Sequence, residues 1–251
     1  GWVVGHSYIV YAPLLAGMAT VVYEGLPTYP DCGVWWKIVE KYQVCRMFSA
    51  PTAIRVLKKF PTAQIRNHDL SSLEVLYLAG EPLDEPTASW VTETLGVPVI
   101  DNYWQTESGW PIMAIARGLD DRPSRLGSPG VPMYGYNVQL LNEVTGEPCA
   151  ANEKGMLVIE GPLPPGCIQT IWGDDARFVN TYWSLFSRQV YATFDWGIRD
   201  ADGYYFILGR TDDVINVAGH RLGTREIEES ISSYPNVAEV AVVGVKDALK
   251  G

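Results

Sequence analysis

Across the first hundred residues or so the chain alternates short apolar runs with amphipathic stretches, so the hydrophobic period switches between two and about 3.6. CRMFSA (45–50) reads as a strand, and PTAIRVLKKF (51–60) as a helix with Pro51 in its first turn. LEVLYLAG (73–80) repeats the strand pattern and PTASWVTETLG (86–96) the helical one. Strand, turn and helix in repetition predict a mostly parallel sheet flanked by helices. In such sheets ligands collect beyond the carboxyl ends of the strands. AGEP (79–82) and DNYWQTE (101–107) both follow strands in this reading and would line one crevice. Upstream, YIVYAPLLAGMATVVY (8–23) is uncharged, shorter than a membrane span, and interrupted by Pro13 and Gly17. It reads as a buried helix leading into a strand.

From about residue 126 the texture becomes Gly- and Pro-punctuated β, in GSPGVPMYGYNVQLL, GMLVIEG and VYATFDWGIRDADGYYFILGR. Asp202-Gly203 marks a hairpin turn between two β-rich flanks. After Arg210 a polar segment feeds a helix for which Thr224 is the N-cap candidate, with Glu226, Glu228 and Glu229 suited to its positive end. The fold class expected is α/β: mostly parallel sheets flanked by helices, a β-rich subdomain, and the start of a small α+β C-terminal domain. The corresponding divisions are 1–125, 126–211 and 212–251.

The 251 residues suffice for one large domain plus part of another. A formal net charge of −10 and a pI near 4.8 argue against a nucleic-acid partner, while leaving room for small anions in local basic niches. Cys32, Cys45, Cys149 and Cys167 form no CxxC pair and the three histidines are far apart, which favours a reduced, cytoplasmic setting without zinc. No secretory leader or membrane partner is expected. The opening Gly-Trp-Val-Val and the closing DALKG suggest a piece of a longer protein.

Candidate chemistry concentrates in DNYWQTESGW (101–110), which sets two aromatics, an amide, a hydroxyl and a carboxylate side by side. A solvated loop does not need Trp104, and a buried strand would not choose Gln105 and Glu107. The mixture suits a pocket wall holding something flat and charged. Each motif also has a plain reading: GEP (80–82) as a turn, Tyr103 and Trp104 as core, Asp195 as a turn residue, Arg210 as a surface cation.

Their order is more specific. A strand ending in GEP, then YWQTE, then TFDWGIRDADGYYFILGRTDD, then NVAGHRLGTREIE resembles the acyl-CoA synthetases of the adenylate-forming superfamily, along the whole chain. The likeness is greatest to the short-chain branch. GWVVGHSY, LPPGCIQTIWGDD and DNYWQTESGWPI are most similar to its propionate-activating members, with the acetate-activating ones as the alternative. The resemblance implies attack of a short-chain carboxylate on the α-phosphate of Mg·ATP, then displacement of AMP by the thiol of coenzyme A.

It also implies roles. Gly80, Glu81 and Pro82 would border the adenine and Tyr103 would stack on it, within a nucleotide-binding set that includes Asp101, Asn102 and Gln105. Thr106 would bond the α-phosphate and Glu107 would hold Mg²⁺. Asp195 would accept the ribose hydroxyls, Arg210 would sit near the ribose, and Arg221 near the reacting phosphate. Val3, Val4, Ala79 and Trp104 would form the acyl pocket, Gly219 would admit the pantetheine arm of CoA, and Asp212 would be the hinge of the small domain. A Trp at 104, where long-chain relatives carry Gly, implies a short pocket; Ala79, where acetate-preferring relatives carry Val, implies room for one more methylene. The family's Ser/Thr/Gly-rich phosphate loop and its late lysine have no counterpart here, so this chain alone is expected to be inactive or nearly so. A carrier-protein-loading adenylation domain and a non-catalytic nucleotide-binding module are the competing readings.

Overall fold

The computed structural model describes residues 3–81, 83–120, 122–217, 220–232, 234, 237 and 240–245, and of 216, 217, 220, 221, 225, 226, 229 and 232 the backbone alone. The chain forms two compact units: Gly1–Met133 with Gly166–Ile168, and Tyr134–Pro165 with Gln169–Gly251.

The first unit opens with a π-helical segment, Gly5–Tyr11, running into α1 (Ala12–Leu15). Then come α2 (Val34–Tyr42), β1 (Arg46–Ser49), α3 (Pro51–Lys58), α4 (Ala63–Arg66), β2 (Val75–Leu78), α5 (Glu85–Leu95), β3 (Val99–Tyr103), β4 (Met113–Ala114) and β5 (Val131–Pro132). The sheet order is β1-β2-β3-β4-β5; the β1–β2–β3 pairings are parallel and the two that follow antiparallel. The α/β expectation is met, with α3 and α5 connecting parallel strands as the switching hydrophobic period requires. Leu76, Leu78 and Val99 on one sheet face meet Ile54, Leu83, Ala88 and Val91 from the α3 and α5 side, and this cluster is the core. Asp84 caps α5 by accepting from Thr87 N–H at 2.9 Å, and Gly96 ends it at φ +66°.

Residues 8–23 depart from expectation. The helical part ends at Leu15, residues 18–24 form no strand, and Leu15 and Val22 are exposed, at 87% and 65%. Gly17, at φ +67°, ends the helix, and a strand there would need a ladder partner that none of the described residues offers.

In the second unit β6 (Asn137–Leu141), β7 (Gly155–Glu160), β8 (Val190–Arg199) and β9 (Tyr205–Arg210) form an antiparallel meander, with α6 (Asp175–Tyr182) between β7 and β8. Leu141, Met156, Val158, Val190, Ala192 and Trp196 are its core. The turn at Asp202-Gly203 joins β8 to β9 as expected, held by the Asp200 carboxylate, which accepts from Asp202 and Tyr204 N–H. The β10 (Val214–Val217) and β11 (His220–Gly223) hairpin leads into α7 (Thr224–Ser232). Among the described residues no helix is long and apolar enough to cross a membrane.

Candidate functional site

In the first unit the candidate residues gather at the carboxyl ends of β2 and β3. Asp101, Asn102 and Tyr103 are the last residues of β3 itself, rather than of a loop beyond it. Asn102 is buried at 5% exposure and its amide donates to the Leu78 carbonyl at 2.9 Å, tying the two strand ends together. Its Oδ1 is buried with no hydrogen-bond partner among the described residues. A buried acceptor left unsatisfied costs about 1–3 kcal/mol.

Gly80 follows β2 at φ +98°, a conformation that side chains resist. The next residue, Glu81, turns its carboxylate back to α3. There it accepts from the N–H (2.9 Å) and hydroxyl of Thr52 and pairs with Arg55 at 2.9 Å. Arg55 also bonds Asp84 at 2.9 Å. Burial raises the Glu81 carboxyl pKa, but the Thr52 and Arg55 donors outweigh it and hold it below the usual range. Asp84 is lowered likewise, burial being outweighed by Thr87 and Arg55. With the side chain of Glu81 fastened, the backbone of residues 80 and 81 is left as the presented edge.

Residues 105–109 form a tight turn. Ser108 and Gly109 N–H both donate to the Gln105 carbonyl, at 3.1 and 3.2 Å, and Gly109 sits at φ +71°. The buried Ser108 hydroxyl accepts from Gln105 N–H at 3.0 Å and lies 2.9 Å from the Gln105 and Trp110 carbonyls. From the neighbouring loop Ile168 N–H donates to the Glu107 carbonyl at 2.7 Å. This leaves Thr106 exposed and Glu107 half-buried at the apex, with their backbone pinned on both sides. Ser108 was not singled out from sequence, where Ser-Gly signalled only helix aversion; its signal is a small hydroxyl three residues after Gln105.

The π-helical segment reaches the same place. Ser7 Oγ donates to the Gly109 carbonyl at 2.6 Å, and the Tyr8 ring stacks on Phe48 at 4.5 Å and meets Trp104 edge-on at 5.5 Å. Val3 and Val4 lie at the head of this segment, and Ala79 is buried at the end of β2. A cleft of about 860 Å³ runs beside β2 and β3, lined by Glu74, Thr92, Arg117 and Arg125 among others; of the candidate residues it includes only Asp101.

In the second unit Asp195 lies within β8, opposite Arg210 of β9, which removes its reading as a turn residue. It is a buried charged group at 7% exposure. Phe194 at φ +61° and a register shift after Trp196 kink the strand around it, and Thr211 N–H closes the ladder onto the Phe194 carbonyl at 2.8 Å. Arg210 forks onto Asp212 at 2.8 and 3.3 Å, and this guanidinium foremost holds the largely exposed Asp212 carboxyl below its ordinary range. Arg221 is in β11, opposite Asn216. Its side chain, Pro82 and Gly219 lie outside the described residues.

A family model described as AMP-binding enzyme matches residues 1–168. The chain belongs to this family. It is 95% identical over 251 residues to a propionate–CoA ligase of Salmonella typhimurium and 92% identical to one of Escherichia coli, covering the whole chain and 40% of each relative. It is 45% identical over 254 residues to an acetyl-coenzyme A synthetase of Pyrobaculum aerophilum, covering the whole chain and 38% of that relative. Among solved structures, the anthranilate CoA ligase AuaEII in complex with anthranoyl-AMP superposes with a TM-score of 0.81 at 26% identity, over 99% of this chain and 45% of that one. The chain thus spans about two fifths of the length of the curated relatives it matches.

Proposed function

We propose that the protein carrying this chain is a short-chain acyl-CoA synthetase that activates propionate with ATP to propionyl-AMP, then transfers the acyl group to CoA with release of AMP. The observation that carries this reading is identity of 92–95% to propionate–CoA ligases along all 251 residues, where a substrate pocket has little room to diverge. The geometry supports it. The fastened Glu81 leaves an adenine-facing backbone edge at residues 80 and 81, with Pro82 expected to complete it. Tyr103 would cover the base, with Asp101 and Gln105 beside it. The orphaned Asn102 Oδ1 suits an amine donor such as adenine carries.

Thr106, at the apex of a turn fixed by Ser108, would donate to the α-phosphate. Glu107 fits Mg²⁺, which needs one or two carboxylates and takes its other ligands from phosphate and water. When bound, that ion would neutralise charge on the phosphates. In the second unit the buried Asp195 carboxylate would accept the ribose hydroxyls, with Arg210 near the ribose, Arg221 near the phosphate, Gly219 for the pantetheine arm and Asp212 as hinge. Ala79 and Trp104, with Val3 and Val4, would limit the acyl group to a short chain.

The test is pyrophosphate and AMP release by the protein with acetate, propionate and butyrate, with and without CoA. Propionate should give the highest kcat/KM, with acetate a poor but real substrate. Preference for acetate would favour the acetyl-CoA synthetase reading, and release with none of the three acids would overturn the proposal.

A further inference from the structure

The acyl pocket proposed above rests on Trp104, whose indole meets the Tyr8 ring edge-on above one face of the parallel sheet. Phe48, Tyr77 and Ile100 are aligned across β1, β2 and β3. The alternation of strand side chains puts Ala79, Asn102 and the residue after Tyr103 on that same side, opposite the α3 and α5 core. The π-helical segment lies on this face. Its Tyr8 ring stacks on Phe48 with an interplanar angle of 22° and meets Trp104 at 84°. Val3 and Val4 stand immediately before this segment, one turn ahead of Tyr8. The bond from Ser7 to the Gly109 carbonyl locks the segment to the turn that carries Thr106 and Glu107. Burial first, and Tyr77 next, keep the Tyr8 hydroxyl protonated well above its ordinary range, so the ring acts as a neutral wall.

We propose that Tyr8 is a positioning residue for acyl-chain length, bracing the Trp104 indole against Phe48 and so fixing the depth of the acyl pocket. The proposal rests on the short-chain acyl-CoA synthetase reading. Removing the Tyr8 ring frees space on the side of Trp104 away from the strand, the indole turns into it, and the pocket lengthens by about one methylene. Discrimination of one methylene in an apolar pocket is about 10- to 200-fold, and a loosened wall should forfeit the lower end of that.

The experiment compares the wild-type enzyme with Tyr8→Leu, Tyr8→Phe and Phe48→Leu, reading kcat/KM for propionate and butyrate and the KM for ATP. Tyr8→Leu should raise the butyrate-to-propionate ratio about tenfold, with the KM for ATP unchanged. Tyr8→Phe should hold the wild-type ratio, and Phe48→Leu should move it in the same direction as Tyr8→Leu. In a Trp104→Gly background Tyr8→Leu should change the ratio no further, because the braced group is gone. An unmoved ratio in both leucine variants, with all acids slowed alike, would make Tyr8 ordinary core and overturn the proposal, as would full additivity with Trp104→Gly. A wild-type enzyme that activates neither acid overturns the parent reading and this one with it, an outcome distinct from a propionate-preferring enzyme whose ratios do not respond.

Discussion

Replacing Glu81 by Gln tests whether the backbone edge at residues 80 and 81 is held by the carboxylate behind it. Glu81 accepts from Thr52 N–H at 2.9 Å and from the Thr52 hydroxyl, and pairs with Arg55 at 2.9 Å, with both charged side chains 31% exposed. The amide retains one acceptor oxygen but loses its charge, and Arg55 keeps its bond to Asp84. A hydrogen bond to a charged group contributes about 1.5–3 kcal/mol; discounted for partial exposure, the expected loss is about 1–2 kcal/mol. For a chain of this size that lowers Tm by about 2–8 °C. The pH dependence has a definite sign. The folded carboxyl is held below its unfolded value of about 4.3, so its stabilisation is present above that pH and is lost as pH falls through the folded value. Wild-type stability should therefore fall more steeply than that of the variant on acidification below about pH 4. Differential scanning calorimetry across this range, paired with AMP titration at pH 7, is the assay. AMP binding should weaken several-fold in Glu81→Gln but not in Asp84→Asn, which loses an ion pair to the same Arg55 while leaving the Glu81 anchor intact. Parallel acid limbs for wild type and Glu81→Gln, or equal AMP affinities, would refute the reasoning.

Asp195→Ala should weaken AMP binding measured by calorimetry, because the buried carboxylate is the proposed acceptor for the ribose; lower stability with intact affinity would make it a strand-packing residue instead. Ala79→Val should shift kcat/KM toward acetate, since one methylene is worth about 1–3 kcal/mol of pocket discrimination, and Trp104→Gly should admit longer acids while slowing propionate. A specificity profile unmoved by both substitutions would remove these residues from the pocket. Asp212→Pro in the whole enzyme should impair one half-reaction more than the other by fixing φ at the proposed hinge, and equal loss of adenylation and thioester formation would count against it.

What could be read from the sequence follows from how local the controlling physics is. The β1–α3–β2–α5–β3 order was legible because each element carries its own period and punctuation: Pro51 opening α3, the helical run that closes on Gly96, and the Asp202-Gly203 turn between β8 and β9. The candidate motifs stood out by their mixture of aromatic, amide, hydroxyl and carboxylate groups, and the structure adds that Gly80 and Gly109 beside them occupy backbone that only glycine adopts easily. Residues 8–23 misled for the converse reason. An uncharged run signals burial only if something covers it, and coverage is a long-range fact that composition does not encode.

The contributions missed were likewise non-local. Ser7 acts on Gly109 from 102 positions away, and Thr52 and Arg55 act on Glu81 from 29 and 26 positions away. No spacing rule reports such pairs. Each of the missed residues touches a group already singled out: Ser108 and Ser7 bond the turn that carries Thr106 and Glu107, Thr52 and Arg55 bond Glu81, and Tyr8, stacked on Phe48, meets Trp104 edge-on. Groups that meet a ligand must have a fixed polarity and size, so they leave a residue-level signature. Groups that fasten them need only reach from wherever the fold brings them. A hydroxyl, a guanidinium or a ring serves equally well, and the sequence around it looks ordinary. The separation predicts how substitutions should divide. Changes at Thr106 or Glu107 should act on the chemical step, whereas changes at Ser108 or Thr52 should act first on how well the ligand is held.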